Sequence, residues 1–124
     1  MANRRFFPSL GVDLVEIKKA ESFYRRHAGK LDSFFNSKEI SFMKRRSCER
    51  LAMLLAAKEA VFKWTGLPWM GPANFKNVRI LPGKRKMSFR LTGALAVKDP
   101  AARSAQLSFF KNKHYVIAQC AGTF

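Results

Sequence analysis

From Ser9 to Val15 apolar and polar positions alternate. Leu10, Val12 and Leu14 fall on one face of a short predicted strand, and Gly11, Asp13 and Val15 on the other. The period then lengthens. Ile17, Ala20, Glu21 and Tyr24 recur at helical spacing, which predicts a helix over 16–28 with Gly29 as its stop. Asn36-Ser-Lys-Glu39 has capping-box spacing and leads into Ile40, Phe42 and Met43. A third helix is predicted from Cys48 to Trp64, rich in Ala, Leu and Met and closed by Gly66 and Pro68. Residues 67–74 read as a loop. Strands follow at Phe75–Leu81 and Lys86–Leu91 around the turn Pro82-Gly83-Lys84. A short helix over Gly93–Val97 is predicted to stop at Asp99-Pro100. Gln106–Phe110 and Tyr115–Cys120 form a final hairpin across Lys111-Asn-Lys113. A strand, then helices, then several strands predict an α+β fold in a single small domain over 1–124, with a long central helix and an antiparallel sheet.

Composition adds a core and a partner class. The 124 residues are 48% hydrophobic and include 12 phenylalanines, which excludes a disordered basic tail. Lys and Arg number 24 against 8 acids, so the net charge is 24 − 8 = +16. Such a field attracts a polyanion: a nucleic acid, an anionic membrane surface, or an acidic ligand or protein. No zinc finger, RNP signature or Gly-x-x-Gly clamp is present. The longest apolar run, Leu51–Ala57, is far short of the roughly 18 residues that span a membrane. The basic N-terminus lacks the apolar core of a secretory signal. Two cysteines, Cys48 and Cys120, build neither a disulfide framework nor a Cys-rich zinc site, which fits a reduced, cytoplasmic setting.

Because acids are scarce, Asp13 and Glu59 need explaining: each interrupts an apolar segment. On a helix Glu59 and Lys63 lie four apart and share a face. That spacing serves a simple ion pair worth ~0.3–0.5 kcal/mol. Together with Lys58 it also serves as the edge of a magnesium–phosphate site, the carboxylate holding the cation and the ammoniums the phosphate oxygens. Mg²⁺ commonly takes one or two carboxylates, and Asp13 is the natural second. His27 and His114 read as surface or structural residues, and Cys48 and Cys120 as small core residues.

Gly11-Val-Asp-Leu-Val-Glu-Ile17, followed about forty residues on by Ala57-Lys-Glu-Ala-Val-Phe-Lys63, resembles the holo-acyl-carrier-protein synthase family, the short 4′-phosphopantetheinyl transferases. Phe35-Asn-Ser-Lys-Glu39, the Gly83-Lys84 turn and the final strand His114-Tyr-Val-Ile-Ala118 extend the likeness over most of the chain. The resemblance implies transfer of the phosphopantetheine arm of coenzyme A to a serine of an acyl carrier protein, with adenosine 3′,5′-bisphosphate leaving. It implies Mg²⁺ held by Asp13 and Glu59, phosphate contacts from Lys58 and Lys63, and Lys63 as stabiliser of the leaving group. The base for the serine stays open among Glu59, a water on the metal and no fixed group. Gly83 and Lys84 would contact coenzyme A, and Lys44, Arg45 and Arg46 would reach its 3′-phosphate. Lys18, Lys19, Arg25 and Arg26 would dock an acidic acyl carrier protein. The implied assembly is a homotrimer with sites between subunits, and the implied setting is fatty-acid biosynthesis or a specialised pathway in the cytoplasm.

The chain departs from the family pattern at three places. Leu54 and Leu55 replace an Arg and an aromatic residue, Ser108-Phe109 replaces a Ser-His pair, and Trp69-Met-Gly-Pro72 replaces a Gly-Thr-Gly loop. The competing reading is a non-catalytic basic module that binds nucleic acid or carrier protein. Asp13 and Glu59 argue against nucleic acid as the partner, since carboxylates repel phosphate. No membrane partner is expected.

Overall fold

The computed structural model describes residues 8–44, 47–68 and 73–124. Strand β1 (Pro8–Glu16) runs into α1 (Ile17–His27), and a 3₁₀ segment (Ala28–Ser33) leads to α2 (Ser37–Met43) and α3 (Ser47–Thr65). Then come α4 (Ala73–Asn77), β2 (Val78–Leu81), β3 (Ser88–Leu91), a second 3₁₀ segment (Gly93–Lys98), α5 (Asp99–Ala102), β4 (Gln106–Lys111) and β5 (Tyr115–Thr123). β1, β5 and β4 form an antiparallel sheet in that order, and β2 and β3 a separate hairpin. The α+β architecture is as expected.

The register explains how the sheet meets α3. Asp13 pairs with Ala118, which pairs on its other side with Phe109; Gly11, Cys120 and Leu107 form the neighbouring row. These two rows face α3. Gly11 is buried where β1 crosses the helix, and a Cβ there would sit 1.9 Å from the Ala60 carbonyl oxygen and 2.6 Å from the Trp64 nitrogen. Only glycine permits that approach. The helix is itself almost wholly core. Leu51, Ala52, Leu54, Ala56, Ala57, Ala60, Val61 and Trp64 are all buried, and Trp64 stacks on Phe124 and meets Phe89 edge-on. A helix rich in Ala and Leu, apolar nearly all round, belongs in the middle of a domain.

Several boundaries differ from the sequence expectation. The first helix ends at His27, just before Gly29 as expected, but the chain continues directly into a 3₁₀ turn rather than a loop. Phe75–Asn77, expected as strand, belongs to α4, and the strand starts only at Val78. Asp99-Pro100 starts a helix instead of ending one: proline occupies the first turn, where its missing N–H costs nothing. Asp99 then accepts three hydrogen bonds from the Arg90 guanidinium, two of them from Nε, and one from Leu91 N, fastening α5 to β3. These bonds hold the Asp99 carboxyl below its usual range. The capping box is present in full: Asn36 accepts from Glu39 N, and Glu39 accepts from Asn36 N. Gly66, at φ +70°, closes α3 as expected.

Candidate active site

β1 and α3 bring Asp13, Glu59 and Lys63 together. Asp13 is on the helix-facing side of β1, one row from the Gly11 contact, so its carboxyl meets the helix surface two turns before its end. Lys63 Nζ donates to Asp13 Oδ1 at 3.1 Å and to the Val12 carbonyl at 3.2 Å. The lysine thus pairs across elements with Asp13, not along its own helix with Glu59. Glu59 makes no hydrogen bond or ion pair among the described residues, but it lies close enough to feel both charges.

Burial dominates the electrostatics. Asp13 has its carboxyl pushed up by desolvation, only partly offset by Lys63. Glu59 is pushed up by desolvation and further by the Asp13 charge, again partly offset by Lys63. Two half-buried carboxylates sharing one half-exposed lysine are short of positive charge. A small hard cation would supply it: two carboxylate oxygens plus substrate phosphate oxygens and water would make an ordinary Mg²⁺ donor set. No group of three or more His, Cys, Asp or Glu side chains occurs among the described residues, so a protein-only cage for a metal is absent there.

Lys58 is not part of this cluster. Its side chain is fully buried, and Nζ donates to the carbonyls of Phe75 (2.7 Å) and Val78 (2.6 Å) and to Glu39 Oε2 (3.0 Å). An ammonium has three N–H donors, and all three are spent. The expected phosphate contact from Lys58 is therefore corrected: the residue is an internal strut. Burial lowers its pKa to about 8, the Glu39 charge opposing the shift and Arg79 and Lys76 adding to it. Sequence spacing could not choose which neighbour on α3 turned inward. The usable signal was Glu39, whose second carboxylate oxygen had no purpose in the capping box.

The other expected residues are placed as follows. Gly83 and Lys84 line a groove of about 410 Å³ with Arg85, Lys86, Met53 and Phe109. Its floor is apolar and its rim basic. Phe109 lies in the same cross-strand row as Asp13, two strand spacings or about 10 Å away. Lys18, Lys19, Arg25 and Arg26 are all exposed on α1. Lys44 is exposed just after α2, while Arg45 and Arg46 lie outside the described residues, as does the Trp69–Pro72 loop. Cys120 is buried with its thiol pushed up to about 12, as an inert core residue would be. His27 is half-buried in an aromatic cluster with Phe23 and Phe34 rather than at the open surface.

A sequence model of the 4′-phosphopantetheinyl transferase superfamily matches residues 9–120. The holo-[acyl-carrier-protein] synthase of Pelodictyon phaeoclathratiforme is 31% identical over 112 residues, covering 88% of this chain and 92% of that protein. The chain belongs to the holo-acyl-carrier-protein synthase family. The Gloeobacter violaceus synthase is 29% identical over 95% of this chain and 94% of its own length. With the Clostridium kluyveri synthase the match is 37% over 73 residues, and spans about half of that protein (54%). Among solved structures, the ACPS–CoA complex of Chronobacterium ammoniagenes superposes with TM-score 0.78 at 26% identity, covering 95% of this chain and 98% of that one. The Helicobacter pylori synthase in complex with coenzyme A superposes with TM-score 0.77 at 20% identity, covering 91% and 98%.

Against that family pattern the two described departures have different characters. Leu54 is fully buried in the core. Phe109, in place of the histidine, stays on the helix-facing side of β4 and becomes part of the groove wall beside the basic loop.

Proposed function

We propose that this protein is a Mg²⁺-dependent holo-acyl-carrier-protein synthase. It transfers 4′-phosphopantetheine from coenzyme A to a serine of an acidic apo acyl carrier protein and releases adenosine 3′,5′-bisphosphate. The observation that carries the reading is the meeting of Asp13, Glu59 and Lys63 at the β1–α3 contact. In this transfer the serine oxygen bonds to the phosphorus bearing the pantetheine arm. The bond from that phosphorus to the bridging oxygen breaks, and the nucleotide leaves with the electron pair. The serine proton goes to Glu59 or to solvent. Most of the catalytic demand is positioning and charge neutralisation. Asp13 and Glu59 would hold the Mg²⁺, whose chemistry there is to neutralise the pyrophosphate oxygens. Lys63, half exposed beside them, can turn its ammonium toward the leaving phosphate. Lys84, Arg85 and Lys86 frame the groove whose apolar floor of Met53, Leu107 and Phe109 suits the nucleotide end of coenzyme A. The exposed lysines and arginines of α1 offer a docking face for an acidic helical partner.

The sheet face turned away from α3 supports assembly as a homotrimer. Leu10, Val12 and Leu14 on β1 and Phe110 on β4 are exposed there, Phe110 by 68%. An apolar strip of this kind on a highly charged protein is a surface meant to be covered, and a further copy of the chain fits its non-polar, uncharged character. No helix among the described residues is long and apolar enough to cross a membrane. A cytoplasmic setting fits the substrates named here.

The test is the intact mass of an apo acyl carrier protein after incubation with this protein, coenzyme A and Mg²⁺, with and without chelator. A gain of one phosphopantetheine that disappears with chelator is expected. No gain across several carrier proteins would overturn the assignment.

A further inference from the structure

The structure assigns the buried Glu39–Lys58 pair a positioning role: it sets the rotation of α3, and with it the direction in which Glu59 and Lys63 face Asp13. The inference rests on the reading of Asp13, Glu59 and Lys63 as the site. Packing anchors the C-terminal half of α3, where Gly11 meets Ala60 and Trp64 and the Trp64 ring lies against Phe89 and Phe124, but it gives the middle of the helix little angular preference. Its buried surface is largely Ala52, Ala56, Ala57, Ala60 and Leu51 or Leu54, which present small, smooth contacts on several sides. Apolar burial is non-directional. Lys58 is different. Near the middle of the helix it bonds to the carbonyls of Phe75 and Val78, at the end of α4 and the start of β2, and to Glu39 on α2.

Glu39 is fixed in turn. Oε1 accepts from Asn36 N at 2.8 Å, and Oε2 accepts from Ile80 N at 2.9 Å. Every polar atom of the pair is satisfied, with both side chains fully buried. The result is a frame that ties α3 to α2, α4 and β2 through directional bonds. Successive helical residues are about 100° apart. Holding Lys58 toward that frame turns the adjacent Glu59 toward β1. Glu59 has no hydrogen bond of its own among the described residues, so its direction is inherited from the helix. The charge pair itself is not needed for stability as a rule, since buried ion pairs are often replaced by apolar residues of similar volume with little loss; the bonds from Lys58 to the two carbonyls are what such a replacement gives up.

The double variant Glu39→Gln/Lys58→Met removes both charges and nearly keeps the volumes. Glu39→Gln alone is the companion variant: it keeps an amide oxygen for Ile80 N–H and the Lys58 bonds to both carbonyls, while leaving the buried ammonium without its countercharge. The readouts are Mn²⁺ binding followed by electron paramagnetic resonance with the metal alone, kcat and KM in the transfer assay, and the placement of Glu59 in a metal-free crystal structure. Folded variants should bind Mn²⁺ ~10–100-fold more weakly, the loss typical of removing groups that orient metal ligands. Their kcat should fall while KM for the carrier protein holds, since the basic face of α1 is untouched. Glu59 should turn away from Asp13. If the double variant fails to fold, Glu39→Gln decides by the same readouts. Unchanged Mn²⁺ affinity, kcat and Glu59 placement in a folded variant would overturn the role. Absence of Mn²⁺ binding by the unmutated protein would instead count against the metal reading, and the Glu59 placement would still decide this inference.

Discussion

Glu59 works at a disadvantage to the fold. Its carboxyl is raised above the ordinary value of 4.5 by burial and by Asp13. The native state therefore binds more protons than the unfolded chain between 4.5 and the raised value. Stability falls as pH climbs through that window, and the cost persists at neutral pH wherever no cation offsets it. Glu59→Gln should then lower turnover by ~10²-fold or more, a loss on the scale of removing one transition-state-stabilising group. In chelator it should raise the melting temperature, with the gain shrinking below pH 4.5. Calorimetry at several pH values checks this, and a melting temperature that falls at neutral pH would show that Glu59 is a structural partner. Lys63→Met should act oppositely on stability: Asp13 loses its partner, and the chelated protein should melt lower. That Asp13 and Glu59 are candidates was legible from the sequence because they were rare acids in apolar runs, and the structure brings them together. The role of Lys58 was not. Lys58 and Lys63 look alike in a sequence, and only the carbonyls of Phe75 and Val78, seventeen and twenty residues on, decide which one is buried.

At the level of elements, the strand alternation was correct but its sense was hidden. Leu10, Val12 and Leu14 form the apolar face, yet that face is the exposed one; the face with Gly11 and Asp13 meets the core helix. Alternation marks two faces and cannot say which is covered when a second copy of the chain can supply the cover. The helix boundaries that failed did so because tertiary partners intervened. Lys58 gathers the carbonyls of Phe75 in α4 and Val78 in β2, and Asp99 finds Arg90 and Leu91 N. The β1–α3 crossing itself yields a sharp expectation. In Gly11→Ala the new methyl meets backbone atoms, which cannot swing aside, so β1 must lift from α3. A destabilisation of at least ~2 kcal/mol is expected from such overpacking. Asp13 moves with the strand, so turnover measured on the folded fraction should fall too. Urea unfolding together with the mass assay would separate the two effects. A variant as stable and active as the parent would mean that the crossing is looser than it stands here.

For the whole molecule, charge and the apolar strip act at different ranges. The net charge of +16 reaches about one Debye length, ~8 Å at physiological salt. Raising ionic strength should therefore raise KM for the carrier protein while leaving kcat nearly constant. Arg25→Ala/Arg26→Ala should blunt that dependence. A salt effect confined to kcat would move the origin from α1 docking to the phosphate site. The strip acts only on contact. Leu14 pairs with Ile117, and Ile117 with Phe110, so these three make one continuous apolar row across the outer face. A carboxylate at the β1 end of that row would have to be desolvated for copies to close over it, which costs several kcal/mol without a partner. Leu14→Glu is exposed in the single chain and should leave its fold intact. By sedimentation equilibrium the parent should weigh three times the 14.2 kDa chain and Leu14→Glu one chain mass. Turnover lost along with assembly would mean that neighbouring copies complete each site. Turnover kept by a monomeric Leu14→Glu would mean that the β1–α3 cluster works alone, and a variant still three chains in mass would move the interface off this face.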